Sequence, residues 1–485
     1  GSTADWILLE NGDYVVAIDL GTNTVATVVG TRGEGGKVRI IDCEISPVQG
    51  VVRSEIKNVE LVAQSIKRTI EAIEARQQIT IREAYAGISG QHIRCVKYPY
   101  YVFVGRDGEI REEDVQKLHE SMGNVQAPDG ETIIQIIPQN YIVDDEETMN
   151  PVGAFGNKLE AVFNFVLGDN NAVSRVKRAL QKVEIRQAGL FLNAVASAEA
   201  VATEDEKEEG VAVVDIGGGT TDVTVFYKNS VRHVGIVPMG GNAINRDIRS
   251  YGILERHVES LKVRYGSAMR DQIKTEMSIK TPGLNARMPK EISLLNLAAI
   301  IEARMLDIID FVMAEIKASG CQQKLGAGVV LTGGAAQMKD LDLLFKNYTG
   351  IDVRVATPDT VIEPGSIESA SNPALATAVG LLLKGLSSGR PVRGSRPQTR
   401  PARQEAQPEL GGNSYGAAST ENPQRRTINT LYRERKAAAD REQEFIDEET
   451  QEEPVTGKTK KGGGLFGRLK QKIDNMFDVI EDNEI

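Results

Sequence analysis

Two stretches far apart in the chain repeat one pattern. VAIDLGTNTVATVV (16–29) and VVDIGGGTTDVTVF (213–226) each run strand, Asp-x-Gly, tight turn, strand. An internal repeat of this kind requires a fold containing the same unit twice. Around the two copies, residues 13–386 alternate strand-like and helix-like runs, the rhythm of an α/β protein. LVAQSIKRTIEAIEAR (61–76) has helical spacing of apolar residues, and DNNAVSRVKRALQKV (169–183) reads as a capped amphipathic helix. Between 84 and 162 the rhythm changes to short β segments and one helix, EEDVQKLHESM, which predicts an inserted subdomain. The pattern thus predicts a first half over 13–83 and 163–197 and a second over 198–230 and 306–372, with another insertion at 231–305.

Each hairpin places a carboxylate, Asp19 or Asp215, at the end of a buried strand and then turns through small residues. Such turns let backbone N–H groups converge on an anion, as in other phosphate nests. Gly21, Thr22, Asn23 and Thr24 in the first hairpin, and Gly217, Gly218, Gly219 and Thr220 in the second, are the candidate phosphate-binding residues. Asp19 and Asp215 are the candidate catalytic carboxylates. Two like charges beside phosphates call for a bridging cation, and Mg2+ held through water fits because it keeps much of its hydration. The competing reading is a plain glycine-rich turn between ordinary strands; three consecutive glycines between apolar strands speak against it, since they cost stability.

GVVLTGGAA (328–336) adds a buried strand, a Gly-Gly turn and a helix expected near Gln337. Gly333, Gly334 and Ala335 would let a flat purine approach closely, with its ribose near the helix start. Other nucleotide motifs are excluded. In TRGEGGKV (31–38) the spacing from Gly30 to Lys37 is wrong for a Walker loop, and Val38 stands where Ser or Thr must bind magnesium. No GxGxxG follows a strand. A net charge of −11 over 485 residues excludes a global basic footprint for nucleic acid. Three widely spaced cysteines and four histidines form no metal or disulfide framework, which points to a reducing interior. Gly1-Ser2 reads as an expression scar with no signal peptide after it, and no apolar run approaches the roughly 20 residues that span a bilayer.

After Gly385 the composition shifts to Arg, Pro, Gly and Ser and then to an acidic run, so 387–461 reads as a disordered linker. Beyond it, residues 462–482 read as an amphipathic helix. Leu465, Phe466, Leu469, Ile473, Met476, Phe477 and Ile480 form one apolar stripe, with Arg468, Lys470 and Lys472 beside it. The linker separates this stripe from the body, so it needs an outside surface; an anionic leaflet suits its basic start. Docking back onto the body and capture by a partner groove are the competing readings. The acidic residues after Ile473 oppose lipid binding.

With these residues in view, the chain resembles the actin/heat-shock-chaperone/sugar-kinase superfamily, and within it the bacterial FtsA family over 13–386. SGQHI (89–93), IPQNY (137–141), NPVG (150–153), TEDE (203–206), LKVRYG (261–266) and LTGGAAQM (331–338) carry the closer likeness. The resemblance implies an actin-like, ribonuclease-H-like duplicated α/β fold that binds ATP between its halves. It implies that Glu259 and Lys262 contact ribose and adenine, that 84–162 is the FtsA-specific subdomain, and that a helix over 373–386 closes the first half. Asn193 falls where relatives place a Gln or Glu that orients the attacking water, and Thr24 where some have Lys; slow or negligible hydrolysis is therefore expected. The implied partners are the FtsZ C-terminal peptide, docking on 231–305 where Asn242, Asn245, Arg246, Arg249 and Tyr251 lie, other divisome proteins, and further copies in actin-like filaments. The implied location is the cytoplasmic face of the inner membrane at the division septum. The rival expectations are a small-molecule kinase, a pilus-assembly scaffold and a chaperone ATPase of the same superfamily. No substrate pocket signature supports the first, and no β-rich peptide-binding domain supports the last.

Overall fold

A computed structural model describes residues 14–283 and 288–388. Most of the predicted linker and the whole 462–482 helix, with its stripe and basic residues, lie outside the described residues.

The sequence repeat extends to whole sheets. The first sheet runs Val38–Pro47, Thr24–Arg32, Val15–Leu20, Glu83–Ile88, Arg186–Leu192. The second runs Ser230–Val237, Thr221–Tyr227, Val211–Ile216, Val329–Thr332, Val353–Val355. In both, three antiparallel strands are followed by two added in parallel. A parallel neighbour needs a crossover, and helices supply it. Helix Val59–Gln77 follows Asn58, whose side chain accepts from the Leu61 N–H at 3.1 Å. Its Val62, Ile66, Ile70 and Ile73 cover one face of the first sheet.

The opposite face is covered by residues from the far end of the body. Helix Ala376–Ser387 buries Ala378, Val379, Leu381 and Leu382 against Val15, Ala17, Val28 and Ile40. It crosses the alanine-rich helix Asn193–Val201 so closely that a Cβ on Gly380 would overlap the Ala196 carbonyl. Small residues are what permit that approach. Asn193–Val201 is shared between the halves: Ala196 packs in the first core, while Val195, Ala198 and Val201 pack with Val211, Val213 and Val330 in the second.

The inserted subdomain is a four-stranded antiparallel sheet, ordered Arg94–Phe103, Lys158–Asp169, Glu131–Val143, Glu146–Thr148, with helix Glu112–Glu120. Strand Glu83–Ile88, grouped with the insertion by its sequence rhythm, pairs instead inside the first sheet. Ser230–Val237 likewise completes the second sheet, so that insertion starts later, with helices Gly241–Ser250 and Glu255–Tyr265. Apolar alternation identifies a strand but not the sheet that recruits it. Helix Leu294–Ala318 runs unbroken through 305 and returns the chain to the second half, burying Ile308, Ile309, Val312 and Ile316.

Candidate functional site

The two repeated hairpins share one turn. Gly21 N–H donates to the Thr24 carbonyl at 3.0 Å, and Gly217 N–H to the Thr220 carbonyl at 2.9 Å. The register matches as well, with Leu20 opposite Val25 and Ile216 opposite Thr221. Asp19 and Asp215 therefore occupy equivalent places, two residues before each turn glycine. Both open onto a cleft of about 960 Å³, whose lining also includes Gly21, Thr22, Asn23, Thr24, Gly217, Gly218, Thr220 and Asn193. Gly219 is the exception: it turns away from the lining, and a Cβ there would stand 2.8 Å from the Arg53 Cα.

A third carboxylate, not selected from sequence, completes the centre. Asp222 lies directly opposite Asp215 in the hairpin register and is 5% exposed. Ser89 Oγ, from the SGQHI segment, stands 3.2 Å from both of its oxygens. Asp215 accepts from Thr377 Oγ1 at 3.0 Å and from Ser197. Burial, and then repulsion from Asp215, push Asp19 up to about 7 and Asp222 up to about 8. Asp215 is also raised by burial, against the pull of its two hydroxyl donors. Acids that ionise reluctantly together form a site suited to a cation. Among the described residues no three His, Cys, Asp or Glu side chains are grouped closely enough to hold a metal directly. A hydrated Mg2+ fits such a set, whereas a dehydrated ion lacks ligands.

Asn193 opens helix Asn193–Val201, 8% exposed at the cleft wall. Its Oδ1 is buried with no hydrogen-bond partner and packs against Gly87, where any Cβ would overlap it. Across the cleft, Lys262 is 8% exposed and bonds Glu259 at 2.9 Å and Asn245 Oδ1 at 2.8 Å. Asn245 Nδ2 donates to Glu259 at 2.8 Å, which closes the triangle. Burial alone would raise Glu259, but the Lys262 and Asn245 hydrogen bonds and the Lys262 charge outweigh it and hold the carboxyl below its usual range.

Gly333, Gly334 and Ala335 reach the same cleft. Gly333 has φ +90°, and a Cβ there would lie 2.6 Å from the Ile216 carbonyl. Only glycine suits that position. A short 3-10 turn, Gly334–Gln337, follows; the α-helix expected near Gln337 starts at Leu341, after left-handed Asp340. Asn242, Asn245, Arg246 and Arg249, considered from sequence for partner docking, line this cleft. Tyr251 lies past the end of their helix, 37% exposed.

Neutral polar bonds are among those that join the halves. Asn23 and Asn242 exchange a reciprocal amide pair, 2.8 and 2.9 Å. Ser54 Oγ lies 2.8 Å from Thr220 Oγ1 across the halves, and within the first half Ser54 N–H donates to Thr22 Oγ1 at 3.0 Å.

The family model described as "Cell division protein FtsA" matches residues 212–380, and that described as "SHS2 domain inserted in FTSA" matches 90–167, the inserted sheet. The cell division protein FtsA of Pseudomonas aeruginosa is 31% identical over 380 residues, covering 78% of this chain and 90% of its own length. The chain belongs to the FtsA family. The FtsA of Escherichia coli K12 is similar at 32% identity over 383 residues, covering 77% of this chain and 90% of its own. Among solved structures, the PilM-PilN type IV pilus biogenesis complex has TM-score 0.53 at 15% identity, covering 77% of this chain and 98% of that one. That likeness concerns the fold alone, so the FtsA match takes precedence over the pilus-scaffold alternative. The duplicated sheets are those of an actin-like protein. Among the described residues, no helix is long and apolar enough to cross a membrane.

Proposed function

We propose that this FtsA-family chain binds Mg-ATP in its cleft and holds it as a structural ligand or switch with slow turnover. The observation that carries the reading is the pair of superposable hairpin turns, each presenting small residues and an aspartate to one cleft. Gly21, Thr22, Asn23, Thr24, Gly217, Gly218 and Thr220 would hold the phosphates, and Glu259 and Lys262 the ribose and adenine, beside Gly333, Gly334 and Ala335. Mg2+, held through water by Asp19 and Asp215, would supply charge neutralisation. Asn193 supports slow hydrolysis: it is one methylene shorter than glutamine, not basic, and packed against Gly87. Extracting nucleotide from purified full-length protein, with and without EDTA, tests this. The expected result is bound adenine nucleotide released by chelation; a vigorous steady-state ATPase without partners would overturn the slow-turnover claim.

Family membership further supports a tether. In this reading the nucleotide-bound bodies assemble into filaments with copies of themselves and hold the FtsZ C-terminal peptide. The 462–482 helix keeps them on the cytoplasmic face of the membrane at the septum. Co-sedimentation with anionic liposomes, comparing full-length protein with a chain ending at 461, tests the anchor; equal pelleting of both removes it.

A further inference from the structure

A second, much smaller cavity adjoins the cleft at Ser54, which lines both. Its volume is about 10 Å³, room for a single water. Four of its lining residues carry polar side chains: Ser54, Glu55, Ser89 and His92. His92 stands where the chain passes from first-sheet strand Glu83–Ile88 into the inserted sheet at Arg94. Its Nδ1 accepts from the Asp169 N–H at 3.1 Å, at the end of the insertion's strand Lys158–Asp169. Its Nε2 is buried and has no hydrogen-bond partner. Two glycines give the ring this place. A Cβ on Gly168 would stand 3.3 Å from Nδ1. One on Gly90, at φ +131°, would stand 3.1 Å from Nε2 and 2.9 Å from the Glu55 Cγ. The Nε2 edge therefore faces the side where Glu55 and the cavity lie.

Because Nδ1 accepts, the neutral ring carries its proton on Nε2, and that N–H is a donor. Burial holds the His92 pKa below its usual value, against Glu55, the Ser89 backbone and Asp169, so the neutral ring is the form present at neutral pH. A buried donor without an acceptor costs free energy, and a water with two to four polar neighbours removes that cost. The hydroxyls on the cavity wall lead on to the second hairpin. Ser89 Oγ lies 3.2 Å from both Asp222 oxygens, and Ser54 Oγ 2.8 Å from Thr220 Oγ1. Thr220 and Asp222 both line the cleft. Ser54 holds a left-handed backbone, φ +65°, which persists only where the surroundings fix it. Each serine oxygen keeps lone-pair capacity for a further donor. Glu55, the remaining polar wall, is engaged by Lys57 at 3.3 Å.

We propose that His92 Nε2–H holds one water in this cavity, that the water bonds Ser54 and Ser89, and that His92 thereby acts as a positioning residue for Thr220 and Asp222. The inference deepens the nucleotide-binding reading and rests on it only for the positioning role. Full-length protein labelled with 15N-histidine presents four rings, and the signal lost in His92→Phe identifies this one. Without nucleotide, the expected spectrum is a neutral Nε2–H tautomer with a direct Overhauser contact to a long-lived water. Ser54→Ala and Ser89→Ala should each shift the His92 Nε2–H more than Glu55→Gln does. An Nδ1–H tautomer, no bound-water contact, or an Nε2–H that responds to Glu55→Gln alone overturns the water site. In calorimetry with Mg2+, His92→Phe should weaken ATP about fivefold, as loss of one hydrogen bond does. His92→Gln, which keeps an N–H, should recover part of this. Ser89→Ala should cost less when added to His92→Phe than it does alone. Unchanged ATP affinity in folded His92→Phe overturns the positioning role. A wild-type protein that binds no nucleotide overturns the reading above and the positioning role with it, while the ring spectra still decide the water site. Thermal unfolding confirms that each variant is folded, and His92→Asn, too short to reach the cavity, replaces His92→Phe where that variant is not.

Discussion

Replacing Asp222 by Asn should stabilise the ligand-free protein above neutral pH. Asp222 titrates near 8 in the fold and near 3.8 unfolded, so the native state holds a proton that the unfolded chain has released. Stability then falls as pH rises between those values and is highest below the unfolded pKa. The slope for one such group is roughly 1 kcal/mol per pH unit. Across the window the ceiling is on the order of 5 kcal/mol. Asp19, raised to about 7 in the same centre, shares this charge, so the two effects do not add. The variant also perturbs the Ser89 contact, at about 1 kcal/mol. A net gain of about 2 kcal/mol at pH 8, vanishing near pH 5, is the expected result. Urea unfolding of full-length protein in EDTA, followed by circular dichroism from pH 5 to 8.5, measures it. His92 and His119, lowered by burial, act with the opposite sign near their own range, and the wild-type-minus-variant difference cancels them. Mg2+ with ATP should restore much of the wild-type stability at high pH. Parallel pH profiles for the two proteins would refute the argument.

Gly333→Ala should cost about 1–3 kcal/mol and weaken nucleotide binding, because its Cβ meets the Ile216 carbonyl at a positive φ; thermal unfolding and nucleotide titration check both. Lys262→Met should lower both stability and affinity, since it removes the buried ammonium that ties exposed Glu259 to Asn245 at the cleft, and restoring charge with Lys262→Arg should recover part of each. Asn193→Gln should raise single-turnover ATP hydrolysis if reach limits the reaction; an unchanged rate in a folded variant removes that role from position 193.

The hairpins were legible because their chemistry is local: glycine placement and one aspartate per copy describe the turn before any tertiary contact forms. LTGGAAQM was legible for the same reason. Asp222 was printed in DIGGGTTD yet stayed silent, because its role follows from the register that sets it opposite Asp215. Ser89, at the end of first-sheet strand Glu83–Ile88, needed the first half folded against the second before its hydroxyl could meet Asp222. The helix carrying Asn242, Asn245 and Arg246 reads as amphipathic, but period does not tell a face that lines a cleft from one that meets solvent. Sheet membership of Glu83–Ile88 and Ser230–Val237 was hidden for a related reason: pairing is decided between distant segments.

The crossing of Gly380 over Ala196 sets an order of events in synthesis. The sheet face built from Val15, Ala17, Val28 and Ile40 is among the first parts of the body to leave the ribosome, and the helix that covers it, Ala376–Ser387, is the last. Until that helix emerges, the early half presents an apolar face with no partner of its own, the kind of surface that invites aggregation. A chain interrupted before residue 376 would therefore lack more than a terminal helix: it would be left with a first half that cannot close.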